Sequence, residues 1–202
     1  MSYKLYYFKA RGRGEQIRVL LHALEQPFED IRLSPPEFME LKQQGVAKLP
    51  FGSMPMLEDG DFRLAQGPVI MSYLAKKHGM APADPQVAAW ADAVAWAAED
   101  LRKRYNTLFG KNPTSEPAEF AQKVWRDRWL PTFEALLAQN GDNGHFAGKT
   151  LTHADIAVWD IVDACIHYVD GCTLDGAPKV AAFYDAVAKL PAVAGYVAAR
   201  PE

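Results

Sequence analysis

The chain has 202 residues, 49% of them hydrophobic and 23% charged, with a formal charge of −3; this is the make-up of a folded globular protein with one or two small cores, not of a disordered one. Lys and Arg are dispersed among acidic residues and form no basic stripe to neutralise nucleic-acid phosphates, so no nucleic-acid partner is expected. No apolar stretch approaches the roughly 20 residues of a membrane span, and Met1-Ser2-Tyr3-Lys4 leads straight into a strand-like run, so no membrane contact is expected and the cytoplasm is the default location.

Tyr3 to Phe8 reads as a strand. After the turn Ala10-Arg11-Gly12-Arg13-Gly14, residues Ile17, Leu20, Leu21 and Leu24 keep the spacing of an amphipathic helix, which Pro27 ends. Phe28 to Leu33 reads as a second strand, parallel to the first by a right-handed crossover. Ser34-Pro35-Pro36-Glu37 matches a capping box opening a short helix through Phe38 and Leu41. Met54-Pro55-Met56-Leu57 is a short apolar run, Asp59-Gly60 a hairpin signal, and Phe62-Arg63-Leu64 the returning strand. Gln66-Gly67-Pro68 then opens a helix that Gly79 closes. The first part is thus βαβ followed by ββα.

Ala81 to Pro85 reads as a linker, and no strand signal follows it. Val87, Trp90, Val94, Ala98, Leu101, Tyr105 and Leu108 keep a helical period. Phe120, Val124, Phe133, Leu136 and Leu137 predict a second long helix with a break at Pro131. Thr152-His153-Ala154-Asp155 is a cap with an acidic third position, opening a helix to be buried through Ile156, Ala157, Val158, Ile161 and Val162. Ala177 to Leu190 and Ala192 to Ala199 supply the last helices. The fold class is therefore α/β plus all-α, with domains at 1–79 and 86–202 joined by residues 80–85.

Tyr7 lies at the carboxyl end of a strand, where open α/β sheets tend to bind ligands. Its phenol could donate to an anion with charge added by Arg13, or Tyr6 and Tyr7 could both be sheet aromatics with solvated hydroxyls. The helix start at Gln66 to Pro68 offers amides and partial positive charge, suiting a carboxylate or phosphate. The only cysteines, Cys165 and Cys172, would lie about 10 Å apart along a helix, beyond disulfide reach. They are expected to be free thiols, and the first domain holds no nucleophilic thiol of its own. The five histidines show no paired metal-ligand spacing, so no metal is expected.

In order and spacing, Lys4-Leu5-Tyr6-Tyr7-Phe8 with Arg11-Gly12-Arg13, Leu49-Pro50-Phe51-Gly52 with Met54-Pro55, Leu64-Ala65-Gln66, Ile70 to Leu74 and Thr152-x-x-Asp155 resemble a cytosolic glutathione transferase. The resemblance spans nearly the whole chain and is strongest to the sigma class, with the pi class close behind. It implies a thioredoxin-like N-terminal domain that binds glutathione. It also implies an all-helical C-terminal domain carrying the electrophile site and part of a homodimer interface, and a role in detoxification.

Carried over by position, the resemblance makes Tyr7 the donor to the glutathione sulfur and Arg13 the charged residue beside it. A donor to the thiolate favours the charged form of a group whose free pKa is about 8.5. Phe38 stands where tryptophan is frequent, and Lys42 follows at the place for the glycyl end. Met54 would pair its backbone with the cysteinyl part ahead of a cis Pro55, and Gln66 would receive the γ-glutamyl group. Gly67 replaces the usual serine, which removes a hydroxyl donor to the glutamyl carboxylate and predicts tighter binding in Gly67→Ser. Asp100 matches an acidic residue that reaches the glutathione of the neighbouring subunit. Phe8, Arg102 and Tyr105 are implied at the electrophile pocket. The implied activity is conjugation of glutathione to hydrophobic electrophiles. The alternatives are a glutathione-dependent isomerase of the prostaglandin type, or a non-catalytic ligand-binding or structural relative.

Overall fold

A computed structural model describes residues 2–109 and 113–201, in two units: Met1–Met80 with Leu190–Glu202, and Ala81–Lys189. The first unit runs β1 (Tyr3–Phe8), α1 (Gly12–Ala23), β2 (Phe28–Leu33), α2 (Pro35–Gln43), β3 (Met56–Asp59), β4 (Phe62–Ala65) and α3 (Gly67–Lys77). Its sheet has the order β2-β1-β3-β4. β1 and β2 are parallel, with Tyr3 opposite Phe28 and Phe8 opposite Leu33, which requires the crossover that α1 supplies. β3 is antiparallel to β1 and β4 to β3. Leu5 and its cross-strand partner Leu57 are buried, as are Ile17, Leu20, Leu21, Ile70 and Leu74 of α1 and α3. This is the expected thioredoxin-like βαβ-ββα order.

Local chemistry explains the element ends. Glu37 accepts from the Ser34 N–H at 2.7 Å and the Ser34 hydroxyl at 2.5 Å, completing the capping box of α2 and holding the Glu37 carboxyl below its usual range. The hairpin turns one residue later than Asp59-Gly60 suggests: Asp59 pairs with Phe62, so Gly60 and Asp61 form the loop, and Gly60 takes φ +61. α1 begins inside the stretch read as a turn, at Gly12.

α9 (Pro191–Ala199) groups with the first unit rather than with the helical residues that precede it. The Tyr196 hydroxyl donates to Glu15 Oε1 at 3.0 Å, and its ring stacks on His22 at 4.3 Å. Periodicity identifies α9 as a helix, but cannot say which unit its face covers.

The second unit contains α4 (Pro85–Asn106), α5 (Pro117–Glu119), a π-helical stretch (Phe120–Trp129), α6 (Leu130–Gln139), α7 (His153–Tyr168) and α8 (Pro178–Ala188). Asp84 caps α4 by accepting from the Gln86 and Val87 amides. The break expected at Pro131 takes another form: the ladder widens before it, with the Leu130 N–H bonded to the Trp125 carbonyl, and Pro131 falls in the first turn of α6, where no N–H is needed. Every residue of α7 from His153 to Cys165 is buried, which makes it the central helix of this unit. Its entry is fixed by Asp155, fully buried, which accepts from Thr152 N at 2.7 Å, Thr152 Oγ1 at 3.0 Å and Phe146 N at 2.8 Å.

Asp155→Ala strands two buried amides, and hydrogen bonds to a charged group contribute about 1.5–3 kcal/mol each. We expect a loss of roughly 3 kcal/mol in urea unfolding with an unchanged slope. A midpoint like that of the wild type would show that this cap does not hold the helix entry.

Candidate functional site

Neighbouring residues on β1 face opposite ways, and the two tyrosines at its end are treated differently. The Tyr6 hydroxyl donates to Glu58 Oε2 at 3.1 Å, and burial together with Glu58 pushes its pKa up to about 12. Tyr7 is instead gripped by the turn that follows. A Cβ on Gly12 would stand 2.6 Å from the Tyr7 hydroxyl, and one on Gly14 would stand 2.6 Å from its ring. Gly12 also takes φ +42, which L side chains rarely adopt. The Arg13 N–H donates to the Tyr7 oxygen at 3.0 Å. An oxygen that accepts there keeps its own proton to donate to a ligand.

Beside the phenol, Phe8 packs edge-on against Tyr7, with centroids 5.7 Å apart, and against Phe38, at 5.1 Å. Lys42 Nζ lies 6.0 Å from the Phe38 ring centre, and its stem runs close to Gly52. The Met54–Pro55 peptide bond is cis, and Pro55 is buried just before β3. Gln66 enters α3 with φ +76, a rare conformation for a residue with a side chain. A Cβ on Gly67 would lie 3.8 Å from Pro55 Cγ and 4.0 Å from the Arg13 carbonyl. The turn after Tyr7, the cis proline and the start of α3 thus converge.

Gly67 brings a correction. A Cβ there would also lie 3.0 Å from Gln16 Nε2, and Gln16 is 1% exposed, so serine enters only if Gln16 moves. The gain expected from Gly67→Ser therefore does not follow. Gln16 carries no apolar signal and escaped the sequence reading, as did Gly14, whose fit against Tyr7 is a tertiary property.

The remaining expected residues lie in the helical unit. Asp100 is exposed and pairs with Lys103 at 3.0 Å. Tyr105 packs with Phe109 and Phe120. Arg102 departs from its expected place at a ligand pocket: it is 2% exposed, with Nη2 2.7 Å from Asp160 and Nε 3.8 Å from Glu99. A buried guanidinium needs such partners, and they hold it inside the unit. Cys165 and Cys172 are free and buried; burial pushes the Cys165 thiol well up and the Cys172 thiol to about 12, so neither is a ready nucleophile. Among the described residues no group of three or more His, Cys, Asp or Glu could hold a metal ion.

Comparison with known proteins bears on the family and the fold. The family models for the glutathione S-transferase N-terminal and C-terminal domains match residues 3–76 and 99–200. A glutathione S-transferase of Plasmodium falciparum is 32% identical, over 98% of this chain and 96% of its own length. A hematopoietic prostaglandin D synthase of Gallus gallus is 30% identical, over 100% and 98%. The solved structure of an Onchocerca volvulus Pi-class glutathione S-transferase superposes with a TM-score of 0.89 at 29% identity, covering 99% of this chain and 94% of that one.

Because the Tyr7 ring leaves no room at Gly14, Gly14→Ala forces the ring or the turn to shift. Overpacking of this kind costs about 1–3 kcal/mol, read as a lower urea midpoint. An unchanged midpoint would mean that the turn yields freely and does not hold the ring.

Proposed function

The chain belongs to the glutathione S-transferase family, and from that premise we propose that the Tyr7 hydroxyl donates to the sulfur of bound glutathione and favours its thiolate. The observation that carries this reading is the Arg13 N–H on the Tyr7 oxygen, which orients the phenol so that its proton serves an incoming sulfur. Phe8 supplies an apolar wall beside that sulfur, and Arg13 adds positive charge in the same turn. Phe38, Lys42, the Met54 backbone ahead of Pro55, Gln66 and Gly67 hold the tripeptide. In the reaction, sulfur forms a bond to the electrophilic carbon, the leaving group departs with the electron pair of its bond, and the thiol proton passes to solvent. The protein contributes position and electrostatic stabilisation.

The finer features follow the same reading. Sigma is the class we favour, on the words around Tyr7 and Arg13. The assembly is a homodimer in which the partner subunit's Asp100 meets the glutamyl amino group; the ion pair Asp100 makes with Lys103 is exposed and so readily exchanged. Phe51, 76% exposed at φ +61, is a large apolar side chain that such an interface would cover. The free cysteines suit the reducing cytoplasm. Tyr105 is the candidate electrophile contact on the helical unit.

A second reading is a glutathione-dependent isomerase, favoured by the likeness to the Gallus gallus prostaglandin D synthase. Arg102, implied at the electrophile pocket, pairs with Asp160 within its own unit, so its charge does not stand against an apolar lipid substrate.

Incubation with glutathione and an activated aryl chloride separates the readings. The transferase yields a stable thioether and chloride, and Tyr7→Phe lowers kcat about a hundredfold with little change in glutathione affinity. Tyr6→Phe stays near the wild-type rate. Equal rates for Tyr7→Phe and wild type would remove the phenol from the mechanism. No conjugate, but isomerisation of an endoperoxide with glutathione returned unchanged, would favour the isomerase.

A further inference from the structure

Gln16 is a polar residue in an unlikely place. It lies in α1 with 1% of its surface exposed, among Ile17, Val19, Leu20 and Leu21, all at 0%. Buried carboxamides are normally well bonded, because an unmade hydrogen bond leaves the desolvation cost uncompensated. Yet the hydrogen bond of Gln16 among the described residues is one long contact, Nε2 to the Arg13 carbonyl at 3.4 Å. A carboxamide has two N–H donors, so one remains. The Arg13 carbonyl also fixes which end of the amide faces this way, since Oε1 in that place would set two carbonyl dipoles against each other.

What that amide faces is the start of α3. Nε2 lies 3.0 Å from where a Cβ of residue 67 would stand. Gly67 does not take a positive φ, so its backbone conformation does not call for glycine. The amide of Gln16 does. Gln16 and Gly67 therefore form a matched pair in which the missing side chain of one opens the way to the other. At the same point the Gly67 and Val69 amides have no acceptor among the described residues, and Pro68 contributes no N–H. An 11-residue helix thus presents its positive end beside a buried amide with a donor to spare.

We infer that Gln16 is a glutathione-binding residue: its Nε2–H, reaching through the gap at Gly67, donates to the α-carboxylate of the γ-glutamyl group, alongside the first amides of α3. This rests on the reading that the chain binds glutathione. The side-chain donor that a serine at position 67 would bring is supplied instead from α1, beside the place that side chain would take.

The test compares two ligands by calorimetry: glutathione, and 4-aminobutyryl-cysteinylglycine, which lacks that carboxylate. Gln16→Met keeps the volume and removes the donor. We expect it to weaken glutathione by about tenfold or more while changing the analogue by less than about twofold. The double variant Gln16→Ala with Gly67→Ser, which clears the space and returns a hydroxyl, regains most of the lost glutathione affinity and carries the test if Gln16→Met does not fold. If Gln16→Met weakens both ligands equally, or neither, Gln16 is a packing residue and the inference falls while glutathione binding stands. If the wild type fails to bind millimolar glutathione, the functional reading itself falls and takes this inference with it.

Discussion

The contact on which the site depends is the face of the Tyr7 ring against the backbone of Gly12 to Gly14, with no space at either glycine for a Cβ. Behind this contact stands Arg18, fully buried, 5.8 Å from the Tyr7 ring centre. Its guanidinium reaches Asp30 on β2 at 3.0 and 3.1 Å, the Ala10 carbonyl in the turn at 3.0 Å and Glu15 on α1 at 3.1 Å. A buried charge is tolerable only when paired this fully, and the pairing locks strand, turn and helix to one another. Glu15 then carries the connection outward to Tyr196 and Arg200. The phenol is held in place by groups from both ends of the chain.

Much of this fold was legible because it rests on local rules. Both capping boxes, Ser34 with Glu37 and Thr152 with Asp155, form as their spacing requires, and β2 spans Phe28–Leu33 as its pattern suggests. What stayed hidden is tertiary. The period of α1 marks Ile17, Leu20 and Leu21, but the helix is buried continuously from Gly14 to Leu21, polar residues included. Glu15, Gln16 and Arg18 carry no apolar signal in sequence and are interior in structure. Arg102 shows the same limit on α4: the sequence implies a place at the electrophile pocket, whereas Asp160 on α7 draws it inside.

The carboxylate end of the site shows how a lost side chain changes what its neighbours do. A glycine at the start of a helix leaves the dipole and the free amides intact and removes a hydroxyl and its volume. The place beside Gly67 is bordered by an amide from a different helix, so in the proposed site affinity at this end would depend on α1 and α3 keeping their spacing. Position 67 alone does not decide it. The sulfur end, by contrast, depends on β1 and the turn. The two ends meet on α1, where the Arg13 N–H bonds the Tyr7 oxygen and the Arg13 carbonyl accepts from Gln16.

The central claim is that Tyr7 favours the thiolate of bound glutathione, and its most direct measurement is the ultraviolet absorbance of that thiolate titrated against pH in the complex. The account predicts ionisation well below the roughly 8.5 of a free thiol, because donation from the phenol stabilises the charged form, and a return toward that value in Tyr7→Phe with glutathione still bound. Ionisation at the free-thiol value in the wild-type complex would contradict it.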